Sequence, residues 1–131
     1  MATITRFEDL EIWQKARILT KRVFVLSKKE NFSQDFRFRN QILSSSGSIM
    51  DNIAEGFERG GNAEFRQFLS IAKGSAGETR SQLYRAFDFE YISSEEFEEL
   101  LAKYEGLSGK IKNFMTYLQN CEIKGIKFKK D

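Results

Sequence analysis

The stretch "QILSSSGSIMDNIAEGFERGGN", residues Gln41 to Asn62, decides how this chain folds. Apolar residues recur in it at helical spacing, although four serines and one glycine interrupt its middle. Glycine costs about 1 kcal/mol relative to alanine inside a helix, and serine is an indifferent helix former. The closing "GGN" supplies a glycine stop followed by an asparagine N-cap. The stretch therefore predicts a helix with small residues along it, followed by a tight reversal into a second helix.

Similar patterns on both sides predict an all-α chain without an interrupting proline. The apolar spacing predicts four helices, over about Leu10–Lys29, Phe36–Arg59, Ala63–Phe89 and from a capping box of Ser93 and Glu96 to about Leu118. The segment before helix two reads as a loop, with Ser33 or Asp35 as the N-cap. Short loops between long helices predict an antiparallel up-down-up-down four-helix bundle. We assign the bundle to residues 1–120 and a flexible basic tail to 121–131.

The composition limits the classes of function that the chain can have. Its 131 residues suffice for one domain, and its 40% hydrophobic and 31% charged residues are typical of a protein that is not inserted in a membrane. The lone Cys121 cannot form an internal disulfide, and the N-terminus lacks signal-peptide features, so we expect a cytoplasmic protein. The chain has no histidine, which removes histidine-based nucleophile activation and metal ligation. We therefore expect neither an enzyme nor a bound metal or cofactor.

The small residues of helices two and three predict a close helix crossing. If the hairpin turns near Gly60 and Gly61, facing residues have numbers that sum to about 121. Ser46 then meets Ser75, and Gly47 lies level with Gly74. This register favours packing over a ligand site as the role of the serines and glycines, and it predicts that Gly74→Leu destabilises the fold by about 1–3 kcal/mol through overpacking.

Two segments, "FEDLEIWQKA" and "SIMDNIAEGFERGGNAEFRQFLSIAKGSAGETRSQL", resemble the 23S rRNA-intervening-sequence proteins, also called four-helix-bundle proteins. The resemblance covers about Phe7 to Leu118. The family usually has a proline in the loop before helix two, where this chain reads "NFSQDF". The residues that match the family motif, which we expect to serve structure or an interface, are Ser48, Asn52, Ile53, Ala54, Glu55, Gly56, Arg59, Phe68, Leu69, Ala72, Gly74 and Ser75.

The resemblance implies little about activity. Members are encoded within intervening sequences of some bacterial large-subunit rRNA genes or elsewhere on chromosomes, and most have no assigned function. The family is similar to the accessory variability determinant of diversity-generating retroelements. That protein forms a pentameric barrel with a basic surface and works with nucleic acid and a reverse transcriptase. The resemblance, and no feature of composition or spacing, therefore implies a homopentamer.

The clearest charge feature is helix one, where residues 12–29 carry six basic side chains and no acidic one. At about 100° per residue the cations form two rows. Ile18 and Val25 point away from the predicted core between these rows. One interpretation is a solvated amphipathic helix; the other is that Ile18 and Val25 meet a neighbouring subunit while cations bind phosphates. The candidate nucleic-acid-binding residues are Lys15, Arg17, Lys21, Arg22, Lys28 and Lys29, with Lys127, Lys129 and Lys130 of the tail.

Other polar residues have less specific interpretations. Phe128 and the tail lysines could stack on a base or serve solubility. Asn52, Glu55 and Arg59 are expected in a polar network near the hairpin or at a subunit contact. The acidic start of helix four, residues 95–99, suits the helix dipole and could also pair with helix one of a neighbouring subunit.

The sequence thus leaves two hypotheses of different classes. The first is a non-enzymatic, oligomeric accessory protein that binds RNA or DNA through helix one. The alternative is a scaffold that recruits a protein partner and does not contact nucleic acid.

Overall fold

The structure, a computed structural model, describes residues 4–123, with side chains as far as Cys121. This part of the chain is helical throughout and contains no strand, which confirms the predicted all-α class. A 3-10 turn at Phe7–Asp9 precedes five helices. They are α1 (Glu11–Leu26), α2 (Glu30–Gln34), α3 (Phe36–Glu58), α4 (Asn62–Asp88) and α5 (Ser94–Ile123).

The long helices enclose one apolar core. Helix α3 packs against α4, α4 packs against α5, and α1 lies against both α3 and α5. Each helix contributes a stripe at helical spacing, as α1 does with Ala16, Leu19 and Val23, all at most 4% exposed. The arrangement leaves the opposite face of α1 on the outside, and this placement matters for the candidate site.

Helix α2 corrects the expected count of four helices. Helix α1 ends at Leu26, not at Lys29, and α2 occupies the segment that was predicted to be a loop. Phe32 of α2 is 2% exposed, and its ring centroid lies 5.3 Å from Tyr91 and 5.5 Å from Phe38. Burying a phenylalanine contributes about 1.5–3 kcal/mol, so the short helix closes this end of the core.

The predicted helix signals have the expected geometry at three ends. Asp35 caps α3 by accepting a hydrogen bond from the Phe38 amide at 3.2 Å. The capping box of α5 is confirmed, because Ser93 accepts from the Glu96 amide at 3.1 Å and Glu96 accepts from the Ser93 amide at 2.9 Å. Gly60 has φ 87° and stops α3 in the left-handed conformation that glycine favours. Asn62, in contrast, is not the N-cap that the sequence predicted, because α4 begins at Asn62 and its N-cap is Gly61.

The pairing of α3 with α4 differs from the predicted register. Ser75 meets Ser48 with their hydroxyl oxygens 3.0 Å apart, whereas Ser46 faces α1, where its carbonyl accepts a hydrogen bond from Thr20. The prediction used only the position of the turn. Facing residues must also lie on the mutual faces of both helices, so the rotation of each helix about its axis shifts the register.

The close approach of α3 and α4 occurs at a different glycine from the one predicted. A Cβ added at Gly47 or Gly74 would have no neighbouring atom within 4 Å, so the expected overpacking by Gly74→Leu is wrong. At Gly56 an added Cβ would lie 2.6 Å from Phe68 Cβ and 3.1 Å from Phe65 Cδ1. Gly56 therefore lets the first two turns of α4 pack directly on α3.

The last helix is longer than predicted. Helix α5 continues to Ile123, and Cys121 is buried in it, so the end of the helix does not coincide with the expected boundary at residue 120. The tail candidates Lys127, Lys129 and Lys130 lie outside the described residues.

Candidate nucleic-acid interface

The first row of cations on α1 and just after it is matched by carboxylates of the same chain. Lys29 Nζ lies 2.7 Å from Glu96 Oε1, and Arg22 forms an ion pair with Glu99. Lys15 lies 3.9 Å from Glu11. We call Lys15, Arg22 and Lys29 the paired row.

The second row, Arg17, Lys21 and Lys28, has no carboxylate within ion-pair distance among the side chains of residues 4–121, and we call it the open row. All three side chains are exposed. The Arg17 guanidinium lies 5.7 Å from the Trp13 ring centroid, and Lys28 Nζ lies 4.5 Å from the Phe24 ring centroid. Cation–π contacts orient these side chains without neutralising them, so they remain able to contact phosphate.

One further cation belongs to this surface and was not found from the sequence. Arg39 of α3 donates from Nε to the Ser27 carbonyl at 3.2 Å, and its Cζ lies 5.9 Å from the same Phe24 ring as Lys28. One cation from the turn after α1 and one from α3 thus meet around one ring that is 41% exposed. No sequence pattern links Arg39 to Lys28, because only the packing of α1 on α3 brings them together.

The acidic start of α5 pairs within the chain. Burial tends to raise the pKa of Glu96, but hydrogen bonds from Lys29 and Ser93 outweigh it and lower that pKa. Glu96 and Glu99 are therefore engaged by the chain's own basic residues. The alternative that the acidic start of α5 pairs with helix one of a neighbouring subunit stays a prediction.

The polar residues of the family motif form two separate groups. Asn52 Nδ2 donates to the Ser48 carbonyl and hydroxyl at 2.8 and 2.9 Å, and Ser48 in turn contacts Ser75 of α4. Glu55 and Arg59 form an exposed ion pair of 2.8 Å one turn further on. The structure thus divides the expected network. Asn52 takes part in a half-buried contact between α3 and α4. Glu55 and Arg59 form a separate ion pair at the surface.

The serines of α3 also border an open polar groove of about 560 Å³ between α3 and α4. At its base Ser45 is hydrogen-bonded to Thr79, at 2.9 Å, and to Gln82, and all three are at most 5% exposed. These hydroxyls pair across the two helices, so the serines serve helix packing on one side and line a groove on the other.

The apolar pair of α1 is exposed, as predicted. Ile18 is 62% and Val25 53% exposed. Ile18 also lines a smaller groove between α1 and α5.

Within the side chains that the structure describes, as far as Cys121, no group of three or more cysteine, aspartate or glutamate residues is placed to hold a metal ion. In the same part of the chain, none of the helices combines the length and apolar character needed to cross a bilayer.

Comparisons with known proteins identify a family and a fold. The family model for 23S rRNA-intervening sequence proteins matches residues 8–113. A crystal structure of a protein of unknown function from the S23 ribosomal protein family of Bacteroides thetaiotaomicron VPI-5482 is similar, with a TM-score of 0.74 and 28% identity over 79% of this chain and 97% of that chain. No curated protein matches the sequence.

Proposed function

Because the chain belongs to the 23S rRNA-intervening sequence protein family, we propose that it is a non-enzymatic accessory protein that binds nucleic-acid phosphates through the open row. The observation that carries this proposal is the contrast between the two rows. In the paired row, Arg22 and Lys29 are each neutralised by a carboxylate of α5. Arg17, Lys21 and Lys28 project positive charge, and none of them has an acidic partner among the side chains of residues 4–121.

The neighbouring residues support this use of the open row. Arg39 adds a fourth cation beside Lys28 and is anchored by its bond to the Ser27 carbonyl. An anchored arginine loses less side-chain entropy when it contacts a phosphate. The two ring contacts also place aromatic surface next to the cations, where an unpaired base could stack.

The proposal includes the architecture of the protein: an up-down-up-down helix bundle that assembles into a ring in the cytoplasm. The contacts of α3 with α4 and of α4 with α5 support the antiparallel order, because short connections join these long helices. Exposed Val25 supports a subunit contact on the outer face of α1.

The number of five subunits rests on the resemblance to the retroelement accessory protein. Repetition around a ring would turn a few cations per subunit into strong, salt-sensitive binding.

The proposal is tested by measuring binding of fluorescently labelled structured RNA and duplex DNA at several salt concentrations. The open-row variant carries Arg17→Gln, Lys21→Gln and Lys28→Gln. We expect it to weaken binding and to flatten the slope of log K against log salt by about 0.9 for each phosphate of duplex DNA that the variant no longer neutralises.

A matched control removes the same number of cations from the paired row, through Lys15→Gln, Arg22→Gln and Lys29→Gln. It should change the slope less, because Glu96 and Glu99 already neutralise two of these residues. Equal reductions in affinity for both variants would contradict the assignment to the open row. Absence of binding by the unaltered protein at low salt would contradict nucleic-acid binding altogether.

A further inference from the structure

A second basic surface lies on the other side of α1 from the open row. It is a groove of about 260 Å³ between α1 and α5, which we call the basic groove. Its rim carries Lys15, Lys103 and Lys110, and its apolar lining comes from Ile18, Leu19 and Leu107.

The lining of the basic groove is aliphatic and accessible from outside. Leu19 and Leu107 are buried and form its floor, whereas Ile18 is 62% exposed and forms one wall. Gly106 leaves the groove open on the α5 side, because a Cβ there would have no neighbouring atom within 4 Å. An apolar side chain from outside can therefore reach Leu19 and Leu107 alongside Ile18.

The charge at the rim is unbalanced. Among the side chains described, those of residues 4–121, Glu11 is the one carboxylate within ion-pair distance of these lysines, with oxygens 3.9 Å from Lys15 Nζ and 3.5 Å from Lys110 Nζ. Both distances exceed the roughly 2.7–2.9 Å of a direct charge-assisted hydrogen bond. Lys103 has no ion-pair partner in the same part of the chain. Three ammonium groups therefore share one loosely held carboxylate.

The rest of the seam between α1 and α5 provides an internal comparison. At its other end Lys29 Nζ lies 2.7 Å from Glu96, and Arg22 is paired with Glu99. There each cation has its own carboxylate. Along this seam, excess positive charge beside exposed aliphatic surface is thus confined to the basic groove.

We propose that the basic groove docks an acidic segment of a partner protein, which inserts one aliphatic or aromatic side chain between Ile18 and Gly106 and places carboxylates beside Lys15, Lys103 and Lys110. The volume favours a single anchoring side chain, since pockets for drug-sized ligands span about 300–1,000 Å³. Binding surfaces commonly depend on such an anchor surrounded by polar contacts. Nucleic acid fits less well, because the lining has no aromatic ring on which a base could stack.

The test uses a synthetic peptide, acetyl-Asp-Glu-Leu-Glu-Asp-amide, titrated into methyl-labelled protein. A matched peptide has serine in place of leucine. We expect the leucine peptide to shift the Ile18 methyl resonance and to bind at least about fivefold more tightly than the serine peptide, because burying the leucine removes apolar surface from water. Ile18→Ser should abolish this preference, whereas Val25→Ser, on the same face two turns away, should retain it.

The charge contribution is measured separately. Lys103→Gln and Lys110→Gln should weaken the binding of both peptides and reduce its salt dependence.

Equal affinity for the leucine and serine peptides would contradict the proposal, since it would leave only charge attraction. An Ile18 methyl shift that follows protein concentration, with no response to peptide, would assign the groove to a second copy of the chain. A shift caused by RNA but not by the peptide would assign it to nucleic acid, and both results would overturn the inference.

Discussion

Individual glycines differ in what they do for this fold, although the sequence presents them alike. Gly56 lies where α4 approaches α3 so closely that an added Cβ would come within 2.6 Å of Phe68 Cβ. Real Cβ atoms do not tolerate this distance, and the contact involves the stem of Phe68, which cannot rotate away. Gly74 lies mid-helix with no neighbouring atom within 4 Å of an added Cβ.

This difference predicts opposite effects of the same substitution. Gly56→Ala should lower the free energy of unfolding by about 1–3 kcal/mol through overpacking, despite the gain in helix propensity. Gly74→Ala should raise it by about 0.5–1 kcal/mol, because alanine is the better helix residue and nothing opposes its methyl group. Urea denaturation of both variants measures the two changes. A stabilising Gly56→Ala would show that α3 and α4 are further apart than described.

Among the helices, α3 depends on an N-cap that also ties it to the loop before α5. Asp35 accepts hydrogen bonds from the Phe38 amide and, at 2.6 Å, from the Tyr91 hydroxyl. The Tyr91 bond, followed by the Phe38 bond, lowers the pKa of Asp35, and the same contact with Asp35 raises the pKa of Tyr91. Tyr91 also stacks on Phe32, so one carboxylate connects the start of α3, the buried ring of α2 and the end of α4.

The lowered pKa of Asp35 predicts a specific acid sensitivity. The folded protein favours the ionised form of Asp35. The stabilisation of the folded state by this carboxylate is therefore fully present at pH values above the ordinary pKa of 3.8, and it is lost as the pH falls through the lower pKa of the folded state. Asp35→Asn should therefore reduce stability at neutral pH and flatten its decline on acidification below about pH 4.

Chemical denaturation at a series of pH values measures this effect. Asp51→Asn is the matched control, because it removes the same charge from an exposed position on the same helix. Identical pH profiles for Asp35→Asn and the unaltered protein would show that the Tyr91 bond does not persist in solution.

The whole molecule presents three distinct outer surfaces around α1. The open row faces the α3 side, the basic groove opens towards α5, and Val25 lies between them beside neutralised ion pairs. On the α5 side of Val25 the neighbouring cations, Arg22 and Lys29, are already ion-paired, which makes Val25 the more suitable of the two exposed aliphatic residues for contact with another subunit.

This arrangement predicts that assembly and partner docking can be separated. Val25→Glu should lower the mass measured by light scattering, because a charge would be buried in the proposed subunit contact. Ile18→Glu should leave that mass unchanged while it blocks the basic groove. If Ile18→Glu splits the oligomer instead, Ile18 belongs to the subunit contact, in agreement with the hypothesis drawn from the sequence.

The sequence by itself determined the elements that depend on neighbours along the chain. Apolar spacing located the long helices. Two candidate caps, Ser33 or Asp35, and the Ser93–Glu96 pair marked two helix starts, and Gly60 marked the reversal. These are local effects, because helix caps and left-handed stops involve residues within four positions of each other. The division of the α1 cations into two rows also followed from helical periodicity alone.

Only the tertiary structure decided which of these residues act together. Rotation of α3 against α4 placed Ser48, not Ser46, opposite Ser75 and made Gly56 the close contact. Packing of α5 on α1 neutralised two of the three cations of the paired row. Packing of α3 on α1 brought Arg39 to Lys28. The spacing of residues within one helix cannot specify these pairings, because they depend on how separate helices rotate and shift against each other to bury their apolar stripes.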